Sequence, residues 1–452
     1  MYSEAIVHTH VFVPKAELKG GLREAKLRLT VESKYENKAS VALYRETPTH
    51  FGMPRYYFSN LQSIATNVID REALGSPITF SVREDTSHPR WEQQQKAVLK
   101  WHNALGKGGT GCLLIAPTGW GKTVCLIKLI KEVGVTTLVI VPKDDLVGQW
   151  RNRLLEHTTL SEKDIGIIQQ NKCEFRGKKI VIGMMHSLAL RKKKPYPREM
   201  YSYFGCVVHD ECHKVGAEQL GKTSCMFPAR FRLGASATPK RKDGMNDILK
   251  YQIAQYVIGQ SKDDMPHPRV VVYPYRGLSG HIWGGTRLQR QGQILSRLSE
   301  NLDRTVVVAD YTQRIFHSGR TCIVFSDRLA QLDNIRDLLS HRFRIPAGKI
   351  GKYIGGATER ERAVMAKSCD ILLATYGAMD LGTDIPRMES IVFGTPRSSV
   401  KQVVGRIRRI LAGKARPVVI DLVDIQYNEC KTMYYGRRKE YIEMGADIIR
   451  MG

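Results

Sequence analysis

Two stretches carry the side chains best able to do chemistry. Residues 207–216, "VVHDECHKVG", place His209, Asp210, Glu211, Cys212 and His213 consecutively, each a possible metal ligand. Residues 116–123, "APTGWGKT", place Gly119 and Gly121 just ahead of Lys122 and Thr123. The first stretch raises a zinc hydrolase, since its two histidines stand four apart. The zincin order, however, is His-Glu-x-x-His on a helix, with both imidazoles on one face and the glutamate as base. Here Glu211 follows His209 by two, and "FGCVVHD" is a short apolar, β-branched run that predicts a buried strand. Carboxylates at the end of such a strand lie at the C-terminal edge of a parallel sheet, where α/β folds bind ligands.

The second stretch has Walker A spacing, with Ala116 in the first glycine position. Pro117, Thr118, Gly119, Trp120 and Gly121 form the wrap, in which glycines let backbone N–H groups face an anion. A helix starting near Thr123 adds its positive N-terminal end. Lys122 would reach the β/γ phosphates of ATP, and the Thr123 hydroxyl would take Mg²⁺. "GKGGTG", residues 106–111, fits a dinucleotide pattern but precedes a strand, so it reads as a glycine turn. A phosphate loop needs a second strand ending in a carboxylate that faces its magnesium, followed by a base for the attacking water. Asp210 and Glu211 supply that pair. The pentapeptide is therefore Walker B and not zinc, with His209 packed in the sheet and Cys212 a small filler.

These residues must be positioned by a chain of 452 residues, enough for two to four domains. Seventy Lys+Arg against 44 Asp+Glu leave +26, which favours a polyanionic partner. No apolar run approaches a spanning helix, and the N-terminus lacks a signal-peptide pattern. Nine cysteines without a C-x-x-C pair read as reduced thiols in a cytoplasmic setting, the host cytoplasm if the chain is viral. Three regions emerge. Residues 1–86 form a small α+β accessory module. Its short strands ("IVHTHVFV", "KLRLTVES", "SVALYRE", "ITFSVRED") surround one helix near "NLQSIATNVIDREAL". Residues 87–260 and 261–452 each repeat a strand-loop-helix rhythm, which predicts parallel sheets covered on both faces. The polar stretch 259–270, "GQSKDDMPHPRV", joins them as a linker.

The motif order resembles the superfamily 2 DExH helicases and translocases. "DECH" is similar to their DExH box, and "PRWEQQQKAV" to the adenine-reading glutamine motif, with Gln94 best placed and Gln93 the alternative. "LVIVPKDDLVGQW" resembles motif Ia, "VIGMMHSL" Ib, "SAT" III, "CIVFSDR" IV, "ATYGAMDLGTDIP" V and "QVVGRIRR" VI. The resemblance implies two tandem RecA-like P-loop lobes with the module in front. In it Lys122, Thr123 and Asp210 hold MgATP, and Glu211 activates water. His213, Ser236, Thr238 and Gln402 couple nucleotide to nucleic acid, and Gly382 and Asp384 contact the ribose and the lobe interface. Arg406 and Arg409 serve as arginine fingers. Arg408 reads as a solvated or phosphate-binding charge outside catalysis. Strand-gripping candidates are Lys143, Ser187, Ser326, Arg328, Gly355, Gly356 and Thr375, each after a strand, with a plain loop role the alternative. The basic loop "LRKKKPYPR", 190–198, is either strand-facing or a solvated insertion.

The DECH box, "LYRETPTHFGMPRYYF" and "TMYYGRRKEYIEMG" look most like bacteriophage helicases that migrate branched DNA. The resemblance thus implies an ATP- and Mg²⁺-dependent DNA helicase or branch-migrating translocase, acting as a monomer in replication, recombination or repair. The alternative is an RNA helicase or a transcript-releasing motor. Aromatics Tyr44, Phe51, Tyr56, Tyr57 and Phe58, with Lys15, Lys19, Arg23 and Lys26, would make the module a platform for DNA at a fork.

Overall fold

The computed structural model describes every residue except 33–39, 87–89, 118, 190–195, 213–216, 238–245, 254–255, 260–264, 278–281, 283, 381–384, 386, 410, 412 and 452. Two compact units emerge, Met1–Ser261 and Lys262–Gly452.

The first unit contains two large sheets. The N-terminal one runs Arg45–Glu46, His50–Pro54, His10–Pro14, Tyr2–Val7, Ala65–Asp70, antiparallel except for the last pair. The helix expected near residues 60–74 is the strand Ala65–Asp70. Its β-branched Val68 and Ile69 pair with Ala5 and Ile6, so tertiary pairing overrides local pattern. Conversely "KLRLTVES" begins as the last turn of a helix: Gly21–Arg28 carries a Glu24–Arg28 ion pair one turn apart, and only Thr30–Val31 of the stretch is strand. "ITFSVRED" is no strand either, and Val82 makes an isolated bridge to Thr158.

The second sheet runs Lys172–Cys173, Ile165–Gln169, Ile180–Met184, Thr137–Val141, Cys206–His209, Phe231–Ser236, Gly111–Ile115, Tyr256–Gly259. Only the first pair is antiparallel. One face packs Trp101, Leu126 and Trp150 of the helices Trp91–Gly106, Lys122–Val133 and Asp145–His157. The other packs Ile248 of the helix Asn246–Gln252 together with Phe51 and Met53 of the N-terminal sheet.

That second face gives the N-terminal region its role in the fold. Arg232, fully buried, donates to Gln252 O at 2.8 Å and to Thr9 O at 3.1 Å. Arg55 pairs with buried Glu72 and donates to Ala229 O at 3.2 Å. The proposed stacking aromatics make packing contacts, with Phe51 buried and the other four half-buried. Tyr44 stacks on buried Phe51 at 5.2 Å, Tyr57 meets Tyr251 and Phe58 edge-on, and Tyr56 closes over Gly111. Lys15 and Lys26 both pair with Glu46. The region is packed into the first unit, while Lys19 and Arg23 remain exposed.

The second unit is one parallel sheet: Ile350–Tyr353, Ile371–Ala374, Cys322–Phe325, Ser390–Phe393, Val418–Asp424, Arg269–Tyr275, Asp447–Arg450. Its core holds Arg304 on Asp424 (2.7 and 3.0 Å) and Arg437 on Asp421 (both 2.8 Å), with Tyr441 donating to Asp421 at 2.9 Å. Among the described residues no helix is long and apolar enough to cross a membrane.

Candidate active site

The strand Gly111–Ile115 leads into the phosphate loop, and the helix Lys122–Val133 leaves it. Gly121 has φ +94°, a torsion that favours glycine, and a Cβ there would lie 2.5 Å from Gln94 Nε2, so the Gln94 side chain would have to shift. Lys122 is buried, its Nζ donating to Pro117 O at 3.3 Å across its own loop. Thr123 stands in the first helical turn, and Gly119 also has positive φ. Trp120 is wholly buried, and its indole donates to Gln93 Oε1 at 2.9 Å, an atom that also accepts from Arg90. The two glutamine candidates therefore do different things: Gln93 braces Trp120, while buried Gln94 lies against the loop glycine.

The strand Cys206–His209 delivers Asp210 to the same edge of the sheet. The Asp210 N–H donates to Ile140 O at 3.1 Å. Its Oδ2 accepts the indole N–H of Trp150 at 2.8 Å, and its Oδ1 accepts the Glu211 N–H at 2.8 Å. Burial, then the Glu211 carboxylate, push Asp210 up to about 6, against the pull of Trp150 and Lys122. Glu211 has φ +47°, a left-handed conformation that costs a non-glycine residue on the order of 1 kcal/mol. Such strain is often stored at functional sites, and this turn re-aims the chain just after the strand.

The strand Phe231–Ser236 lies between these two strands and holds both ends. Ala116 N–H donates to Ser236 O at 3.1 Å, while Cys212 N–H and Sγ both donate to Ala235 O at 3.0 Å. Cys212 is thus committed to packing. His209 is buried in the sheet, held neutral by burial first and Arg232 second, which push it down to about 3. Among the described residues no group of three metal-ligating side chains gathers. The donor set instead suits a hydrated Mg²⁺ on a nucleotide: one carboxylate from Asp210, one hydroxyl from Thr123 and no thiolate. Thr118, His213, Thr238, Gly382 and Asp384 lie outside the described residues.

In the second unit the helix Lys401–Ile407 carries Gln402 and buried Arg406, and Arg409 follows two residues beyond its end. Arg409 neighbours Lys414, whose ammonium is pushed down to about 8 by burial, then by Arg409. Arg408, expected in solvent, is buried and donates to Met265 O and Pro266 O at 3.0 and 2.9 Å. It anchors the start of the unit.

The strand-gripping candidates divide. Lys143 and Thr375 follow strands ending at Val141 and Ala374, and Gly355 and Gly356 are exposed with open space around them. Ser187 Oγ accepts the Gln170 N–H at 2.9 Å. Ser326 departs from expectation: it is fully buried, donates to Gln331 at 2.7 Å and can offer a strand only its backbone. Arg328 is tied to Gly292 O and Ser296 Oγ. In "LRKKKPYPR", residues 190–195 lie outside the described set, and Tyr196 is buried.

Trp150 escaped the sequence reading. It closes the "LVGQW" of motif Ia, but nothing local says that its indole reaches a carboxylate 60 residues further on.

The family "Type III restriction enzyme, res subunit" (ResIII) matches residues 88–241. "Putative ATP-dependent RNA helicase L396" of Acanthamoeba polyphaga mimivirus is 27% identical over 92% of this chain and 79% of its own length. "DNA 3'-5' translocase XPB2" of Sulfurisphaera tokodaii is 26% identical over 50% of this chain and 46% of its own. Among solved structures, S. cerevisiae Dbp5 bound to RNA and ADP BeF3 has a TM-score of 0.53 at 13% identity, over 79% of this chain and 88% of that one. That likeness concerns fold alone. The crystal structure of T4 UvsW aligns over 100% of this chain and 99% of its own at 15% identity, but its TM-score of 0.38 carries no weight. Sheets, motif order and matches together define the class: this is an ATP-dependent superfamily 2 helicase, with two RecA-like lobes.

Proposed function

We propose that the chain couples ATP hydrolysis to unwinding or branch migration of forked and junction DNA. The observation that carries the ATPase reading is the stapling of phosphate loop and Asp210–Glu211 to one strand, through Ser236 O and Ala235 O. On this reading Gln94 reads adenine, and Lys122, Thr123 and Asp210 hold the triphosphate and its Mg²⁺. Glu211 orients water and takes its proton, and Arg406 and Arg409 neutralise charge on the transferring phosphoryl group. Bound Mg²⁺ would supply Lewis-acid polarisation of the phosphate oxygens. Ser236, with His213 and Thr238, passes the nucleotide state to the strand grip, and Gln402 links it to the arginine helix. Lys143, Thr375, Gly355 and Gly356 contact backbone phosphates without reading sequence.

The +26 charge supports a nucleic acid, and similarity to a DNA translocase supports DNA. A second reading, an RNA helicase, is favoured by the name of the mimiviral relative. ATP turnover and strand separation on forked DNA, four-way junctions, linear duplex and duplex RNA separate the two. Turnover highest on forks and junctions supports the first reading; stimulation by RNA alone overturns it.

A further inference from the structure

The helix Lys401–Ile407 begins badly. Its cap position is Val400, whose side chain cannot accept a hydrogen bond, and a helix of seven residues has little stability of its own. The missing cap comes from elsewhere in the chain. One carboxylate oxygen of Glu440 accepts the N–H groups of Val400 and Lys401 at 2.6 and 2.8 Å, and the other accepts the Ser399 hydroxyl at 2.6 Å. A carboxylate there also meets the positive end of the helix.

Glu440 lies on the C-terminal helix Asn428–Glu443, and its neighbours on that helix serve the same loop. At Gly436 a Cβ would lie 2.9 Å from Ser398 O, so the helix approaches as closely as a glycine permits. Buried Arg437, locked by Asp421, donates to Arg397 O at 2.5 Å. Glu443 pairs with Lys401 at 3.1 Å. Four positions on one helix thus hold residues 397–401 from the side.

We propose that Glu440 is a positioning residue for ATP hydrolysis: a cap donated by a distant helix of the same chain that sets the pitch of the helix carrying Arg406 and leading to Arg409. This rests on assigning those arginines to the phosphoryl group. A tilt at the cap is carried down the helix to the guanidinium groups, and misplacement by about 1 Å can cost up to a hundred-fold in rate.

The test is a cycle on the full chain, measuring kcat, KM for ATP and thermal melt with saturating poly(dT), and poly(U) in a parallel arm. Glu440→Gln keeps the shape and an oxygen for both N–H groups, but it loses the charge that meets the helix end and forces the Ser399 hydroxyl to turn from donor to acceptor. It is expected to lower kcat about ten-fold, with KM and melt nearly unchanged. On an Arg409→Ala background its effect should be clearly smaller than on the native chain, because the part carried by Arg409 is already lost and only the part through Arg406 remains. If Glu440→Gln melts early, Glu440→Asp, which keeps charge but loses reach, takes its place in the cycle. Multiplicative effects in the double variant, or an unchanged kcat in the single one, overturn the inference while leaving the arginine assignment standing. Wild-type kcat in Arg409→Ala overturns that assignment and the inference with it.

Discussion

The core ion pairs of the second unit and the Asp210 edge of the first hold buried charge in different ways. In the second, Arg304 and Arg437 each meet a carboxylate with two hydrogen bonds, so cation and anion are matched inside the core. In the first, the Asp210 carboxylate meets an indole and a backbone amide, and Arg232 meets carbonyl oxygens of Gln252, Thr9 and Phe227. Matched pairs fix geometry and are costly to break from one side only. A carboxylate held by neutral donors has no cation locked onto it and stays open to a metal-bound triphosphate, although burial and Glu211 raise its pKa. Arg304 and Arg437, like Arg55 on Glu72 in the first unit, use buried charge for rigidity, and Asp210 is the one kept for chemistry.

That contrast can be broken in several places. The largest effect is expected from removing residues 1–86, which strips the Thr9 carbonyl from Arg232 and Phe51 from the sheet face. Such a chain should melt lower by at least about 10 °C or aggregate, read by circular dichroism. A melt close to full length would show that the region is dispensable. Next, Asp421→Ala leaves Arg437 buried without its partner and should cost about 3–5 kcal/mol, seen as faster hydrogen exchange in Val418–Asp424. Exchange at the native rate would deny the pair its structural role. Trp150→Phe keeps the ring but removes the N–H on Asp210, and should lower ATP turnover about ten-fold with the fold intact. Unchanged turnover would make the indole bond incidental.

The smallest effect concerns His10, buried in the N-terminal sheet and pushed down from 6.5 to about 3 by burial first, then by Arg45 and Arg232. The unfolded chain takes up this proton near pH 6.5 and the folded chain does not, so stability falls as pH drops from 6.5 towards 3. His10→Gln should make the decline in melting temperature between pH 7 and 5 shallower. An identical slope would assign it to other groups.

What was legible in the sequence was local. The Gly-x-Gly-Lys-Thr spacing, the Asp-Glu pair after a β-branched run and the repeated strand-helix rhythm are all written within a few residues of themselves. They led to the phosphate loop, Asp210, Glu211 and two parallel sheets. What was not legible depends on partners far along the chain. Trp150 finds Asp210, Glu440 caps Val400, and Arg408 leaves solvent for the Met265 and Pro266 carbonyls. The same limit explains the N-terminal errors: Ala65–Asp70 becomes a strand only because Tyr2–Val7 offers an edge. The packing partners of its aromatics, such as Tyr251 against Tyr57, likewise lie far along the chain.

The most direct test of the central claim, that Asp210–Glu211 is the hydrolytic edge of a phosphate-loop site, is nucleotide binding and turnover by Glu211→Gln. It removes the base and leaves Lys122, Thr123 and Asp210 in place. ATP and DNA affinities should stay within a few-fold of native while turnover falls at least about a hundred-fold, the size of a general-base contribution. Near-native turnover in Glu211→Gln would contradict the assignment.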